Sequence, residues 1–164
     1  MAISVNGVIA REDNEEDFLS HDNWNILVKL AHKTGCMIWG RKTYEIVRRW
    51  DKQYLDDIKD EEKVVVSNDP RFSLESGYLL ARSPKEVFDM LRKRGFNKVI
   101  LSGGATVNSS FAEEGLIDEI VFNIEPVVVG KGIPLFSPRN FDLKLLEIRK
   151  INKRIIQLHY KVAK

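Results

Sequence analysis

At 164 residues, with 43% hydrophobic and 30% charged side chains, the chain has the size and composition of one folded domain with its own core. Its 26 Lys+Arg against 24 Asp+Glu leave a net charge of +2, too balanced for a nucleic-acid footprint. Cys36, the one cysteine, excludes an intrachain disulfide and a cysteine-based zinc site. No apolar run approaches the ~20 residues of a membrane span and no charged-then-apolar leader opens the chain, so the expectation is a cytoplasmic protein with no membrane or nucleic-acid partner.

Apolar runs rich in β-branched residues alternate with helix-period segments along the chain, the pattern of a mixed α/β sheet. A first strand is expected over Met1–Val5. The acidic stretch Glu12–Asp17 after it reads as a solvated loop and not as a metal site. A helix from about His21 to Lys33 follows, with Ser20 as N-cap and Gly35 just past its end, burying Trp24, Leu27, Leu30 and Ala31. The strand Cys36–Trp39 runs into a second helix starting near Lys42, and Cys36 reads as a small buried hydrophobe.

Acidic residues crowd again at Asp56–Glu62 and read as a second loop, ahead of strands at Lys63–Ser67 and Tyr78–Ala81. The third helix has Ser83 as cap, Pro84 at its first position and Gly95 as its stop. A strand at Lys98–Leu101 leads through paired glycines into a fourth helix that ends at Gly115. The long run Glu119–Val129 and two closing strands, Leu143–Ile151 and Arg154–Val162, complete eight strands, with a hairpin turning at Asn152-Lys153. That antiparallel end argues against a purely doubly wound fold.

Two glycine-bearing turns fall at strand ends, WGRKTYE at Trp39–Glu45 and SGGATV at Ser102–Val107. Ligands of open α/β sheets sit outside the carboxyl ends of strands, and the free N–H groups of a helix's first turn suit a phosphate there. The Arg41 fork adds a partner for a terminal phosphate. Glycines that merely close tight turns are the competing explanation. Neither the GxGxxG nor the GxxxxGK[ST] spacing occurs in the chain.

Taken in order, MAISVNGVIA, MIWGRKTYE, VVVSNDP and VILSGGATVNSSFAEEGLIDEIVFNIEPVVVGKGIPLF cover most of the chain and resemble the dihydrofolate reductase superfamily, which includes the reductase domain of riboflavin biosynthesis. The resemblance implies a single domain over 1–164, a three-layer α/β/α fold with a mixed, mainly parallel eight-stranded sheet and a C-terminal antiparallel hairpin, and NADPH as cofactor. By matching positions, Gly40, Arg41, Lys42 and Thr43 hold the adenosine side and pyrophosphate, with Arg41 and Ser67-Asn68 near the ribose phosphate. Ser102, Gly103, Gly104, Ala105, Thr106 and Val107 seat the pyrophosphate, and Ala2 and Ile9 lie against the nicotinamide. The implied chemistry is hydride transfer, in which the protein positions cofactor against acceptor.

On the substrate side the sequence departs from the family pattern. The family's first-helix carboxylate, which favours the protonated pterin, falls at or next to Asn23. The other candidate is Asp22, equally readable as an acid complementing the helix dipole. Asparagine can hydrogen-bond a pterin or pyrimidine edge but holds no negative charge, so weak binding of diaminopyrimidine antifolates is expected. Leu27 lies on the same helix face. Phe18 stands in the acidic loop as an apolar lid, and Asn123 matches a position that orients the pterin. DDIKDEEK occupies the stretch where the family offers an arginine to the folate glutamate.

The leading expectation is reduction of dihydrofolate to tetrahydrofolate. The alternative is reduction of the ribosylaminopyrimidine phosphate of riboflavin synthesis, favoured by the missing acid and the missing arginine. A non-catalytic nucleotide-binding module is the alternative of another class. The partner is thus a small pterin or pyrimidine, with a possible homodimer through the apolar and basic ending LKLLEIRKINKRIIQLHYKV.

Overall fold

The computed structural model describes residues 1–137 and 140–163. In chain order the elements are β1 (Ala2–Ser4), β2 (Val8–Ala10), α1 (His21–Thr34), β3 (Cys36–Gly40), α2 (Arg41–Val47), α3 (Lys52–Asp56), β4 (Glu62–Val66), β5 (Leu79–Ala81), α4 (Pro84–Lys93), β6 (Ile100–Leu101), α5 (Ala105–Glu113), β7 (Glu119–Glu125), β8 (Ile133–Pro134), β9 (Leu143–Lys150) and β10 (Ile156–Val162). Four parallel strands run β5-β4-β3-β6, and a second set runs β1-β7-β10-β9. In the second set β1 and β7 are parallel, while β10 pairs antiparallel with both β7 and β9. These two sets account for the expected eight strands and the C-terminal hairpin. Met1 lies where they approach: its carbonyl accepts from Asn123 N at 2.8 Å, and its side chain sits beside Gly103.

β3 reads CMIWG, apolar throughout, because successive side chains point to opposite faces and both faces are covered. Cys36 and Ile38 pack with Val64, Ala81, Val87, Leu91, Val107 and Phe111, joining the sheet to α4 and α5. Met37 and Trp39 face the other way, toward Trp24, Ala31, Val47 and Ile58. Helices therefore flank the central strand on both faces. Burial pushes the Cys36 thiol up to about 12, as befits a core hydrophobe.

Several elements differ from expectation. β7 stops at Glu125, short of Val129, because Pro126 has no N–H to continue a ladder. The ribbon of β2 and β8 was not expected; it closes over Gly132, where any side chain would run into Ala10 O. α3 and the turn after it occupy part of what reads as an acidic loop, and Ile58 there is fully buried. Ser20 does precede α1, yet its side chain makes no cap hydrogen bond. Among the described residues, no helix is long and apolar enough to cross a membrane and no cluster of ligands suits a metal ion.

Candidate active site

β3 and β6 are neighbours running the same way, so the turns at their carboxyl ends lie side by side. Ser102 N donates to Ile38 O at 2.9 Å and Gly40 N to Gly103 O at 2.8 Å, stitching one glycine turn to the other. A Cβ built on Gly40 would stand 3.5 Å from Val107, one on Gly104 3.5 Å from Thr43 Oγ1, and one on Gly103 3.2 Å from the Met1 methyl. Gly103 also holds φ at 98°, which favours glycine. The turns leave a cradle that larger side chains would fill.

α2 and α5 both start at this cradle. Their N-caps are Gly40 and Gly104, and neither helix has a side-chain cap. The first-turn N–H groups are thus left for an outside acceptor, with the positive helix end behind them. Ile9 and Ala10 pack beside Ala105 and Met1, so β2 forms an apolar wall next to the start of α5.

Beyond β4 the chain turns at Ser67, which is buried, and Asn68, which is exposed. Arg41 Nη1 donates to Asp69 Oδ2 at 2.9 Å, and Arg82 Nη1 donates to the carbonyls of Ser67 and Asp69 at 3.1 and 2.5 Å. Two guanidinium groups therefore converge on the turn that joins Arg41 to Ser67-Asn68. Lys42 and Thr106 are exposed at the two helix starts. Arg82 and Asp69 were not picked out by sequence reading.

A second polar group lies beneath α1. Asn23 is buried and donates through Nδ2 to Glu125 Oε1 at 2.7 Å. Ser20 donates to the same oxygen through its N–H at 2.8 Å and through its hydroxyl, which explains the missing cap. Two residues away on β7, Asn123 is also buried, and its Oδ1 accepts from Gln157 Nε2 at 2.9 Å. The register sets Ala2 opposite Asn123 and Ser4 opposite Glu125, so this seam lies one strand from the Gly103 turn through Met1.

Asp22, by contrast, is exposed and accepts from Asn152 Nδ2 at 2.6 Å on the outside of α1. One residue is ~100° of rotation about the helix, enough to set Asp22 toward solvent while Asn23 turns into the core. Leu27 is half-buried against the cluster that contains Trp24, whose ring meets those of Trp50 and Tyr54 edge to face. Phe18 is half-exposed, with the Arg11 guanidinium 5.9 Å from its ring centre.

Residues 1–157 match the family described as the RibD C-terminal domain. A Shewanella sp. PV-4 protein provisionally assigned to riboflavin biosynthesis superimposes with a TM-score of 0.81 at 21% identity, covering 100% of this chain and 97% of that one. The riboflavin biosynthesis reductase of Saccharomyces cerevisiae gives 0.70 at 16% identity, over 99% of this chain and 87% of its own. An Enterococcus faecalis dihydrofolate reductase solved with NADP(H) gives 0.67 at 17%, over 99% and 94%. The fold is that of the dihydrofolate reductase superfamily.

Proposed function

This chain belongs to the RibD C-terminal domain family, and from that premise we propose that it is an NADPH-dependent reductase of the riboflavin-biosynthesis type, converting the ribosyl group of a phosphoribosylaminopyrimidine to a ribityl chain. The observation that carries the reading is the pair of uncapped, glycine-led helix starts joined by the Gly40–Gly103 hydrogen bond. A diphosphate fits this donor set: first-turn N–H groups of α5 meet its oxygens, Thr43 stands beside Gly104, and Arg41 and Arg82 meet a ribose phosphate. NADPH, when bound there, supplies the hydride.

The rest of the site positions the acceptor. Once the sugar opens, its C=N carbon takes the hydride and its nitrogen a proton, with the π electron pair moving to nitrogen. Ala2 and Ile9 form the apolar side toward the ring that delivers the hydride. Asn23 and Asn123 offer amides to the pyrimidine edge, and Leu27 and Phe18 add apolar surface.

The dihydrofolate reading gives way to this alternative for two reasons beyond family membership. Asn23, not a carboxylate, holds the inward place on α1, and Asp22 is engaged outside by Asn152. The stretch ahead of β4 carries Asp56, Asp57, Asp60 and Glu61, which would repel a glutamyl tail. Steady NADPH oxidation with the phosphoribosylaminopyrimidine, slower with NADH and absent with dihydrofolate, is the expected result. Turnover of dihydrofolate alone would reinstate dihydrofolate as the substrate. NADPH binding with no turnover of either would leave a binding module.

The homodimer is proposed on the same footing. Edge strand β9 exposes Leu145, Leu146 and Ile148, and sedimentation showing only monomer at micromolar concentration would exclude it.

A further inference from the structure

We propose that Glu125 is a positioning residue for substrate recognition: it fixes Asn23 so that the Asn23 carbonyl and the second oxygen of Glu125 offer two acceptors to a ring edge with adjacent N–H donors, such as the amino and ring N–H of an aminopyrimidine. The inference rests on the riboflavin-type function proposed for the site and narrows it to one edge of the substrate.

Glu125 is completely buried at the end of β7, and three donors converge on its Oε1: Ser20 N, Ser20 Oγ and Asn23 Nδ2. Both Ser20 N and Asn23 Nδ2 donate to that one oxygen, so Asn23 turns its NH₂ toward Glu125 and its carbonyl away. Among the described residues, that carbonyl, Asn23 Oδ1, is buried without a hydrogen-bond partner, and so is Glu125 Oε2. Buried acceptors are almost always satisfied, and two orphans on side chains already bonded to each other point to an outside donor pair.

The surroundings agree. Among the described residues Arg154 brings a cation near, its Nη2 standing 3.8 Å from Glu125 Oε2 while its side chain is 64% exposed. It balances the charge without filling the acceptor position, and its exposed stem can swing aside. Asn123 on the same face of β7 is held by Gln157, which takes up its Oδ1 and leaves its NH₂ as the group that can donate. Acceptors thus gather at Asn23 and Glu125, and a donor lies beside them. Asp22 is exposed on α1, where Asn152 donates to it.

The test reads binding, not turnover. Wild-type protein saturated with NADPH is titrated calorimetrically with 2,6-diaminopyrimidin-4-one and with 6-amino-2-methylpyrimidin-4-one, which lacks one donor of the edge. Wild type should prefer the diamino probe by about tenfold, since a site with unpaired acceptors rejects a ligand that cannot donate to them. Glu125→Gln, whose amide can donate or accept and so frees Asn23 to flip, should cut the preference to about threefold or less with NADPH affinity unchanged.

The double swap Asn23→Asp with Glu125→Gln keeps one carboxylate and one amide, and should restore the preference. A merely structural pin between α1 and β7 predicts instead that the single variant weakens NADPH and both probes alike. No preference in wild type, a preference untouched by Glu125→Gln, or no recovery in the double swap would each overturn the proposal. If the single variant fails to fold, the double swap decides alone: preference kept supports it, preference lost overturns it. Riboflavin-type turnover with no probe preference would sink this inference and spare the functional reading, and the reverse result would do the opposite.

Discussion

Two helix starts on the same face of the sheet, those of α4 and α5, solve one problem in opposite ways. α4 satisfies itself: Ser83 Oγ accepts from Glu86 N at 3.2 Å, Pro84 removes an N–H that would have no partner, and Glu86 reaches back to Arg82 N at 2.7 Å. α5 begins at Gly104 with no side chain to offer, and Ala105 and Thr106 make no cap in its place. The free N–H groups of a helix's first turn must meet something. Where the sequence spends a serine, a proline and a glutamate on them the helix start is structural, and where it withholds all three the acceptor comes from outside.

The comparison breaks most sharply at Gly103. Its φ of 98°, which a side chain and above all a β-branched one rarely adopts, strains the turn in Gly103→Val, and the Met1 methyl 3.2 Å from where a Cβ would stand must also give way. NADPH affinity should fall by about a hundredfold or more in a fluorescence titration, because the turn that aims α5 at the diphosphate is displaced. An unchanged affinity would put the diphosphate elsewhere. Arg41→Ala comes next. It removes one of two guanidinium groups beside Ser67-Asn68, and the preference for NADPH over NADH should drop about tenfold with NADH binding little altered.

On the α4 side, Ser83→Ala should cost about 1 kcal/mol in urea unfolding and leave NADPH binding untouched, since that cap serves only its own helix. A loss of cofactor affinity there would show that the two helix starts are coupled. They share the core through Val87, Leu91, Val107 and Phe111, so rigid packing, and not charge, would be the carrier.

How much of this was legible in the sequence follows from the range of each interaction. The glycine turns could be read because backbone freedom belongs to single residues, and β3 because two covered faces leave a continuous apolar run. β2 and β8 could not, because strands of three and two residues are too short to show alternation. Glu125 was missed since its partners, Ser20 and Asn23, lie 105 and 102 positions away. One local signal did point to it. Residues two apart on a strand share a face, so placing Asn123 in the site places Glu125 there as well. Asp22 and Asn23 were both readable as candidates for the complementary reason: neighbours on a helix differ by ~100°, and only the packing separates the exposed Asp22 from the buried Asn23.

The smallest expected effect sharpens the comparison furthest, because it converts one helix start into the other. Gly104 has extended backbone angles, φ −80° and ψ −160°, that suit any N-cap residue, and a Cβ there meets Thr43 Oγ1 at an ordinary 3.5 Å. Gly104→Ser therefore fits, and its hydroxyl can accept from the first turn of α5 as Ser83 does on α4. Glycine is already a tolerable N-cap, so the gain in stability should be only about 0.3 kcal/mol. The same hydroxyl now competes for an N–H that the diphosphate would use, and NADPH affinity should fall about threefold. The two shifts must have opposite signs: a helix start that stabilises itself further gives up part of its hold on the ligand. Tighter NADPH binding in this variant would mean that the bare start of α5 is a packing constraint of the Gly104–Thr43 contact and not a reserved anion seat.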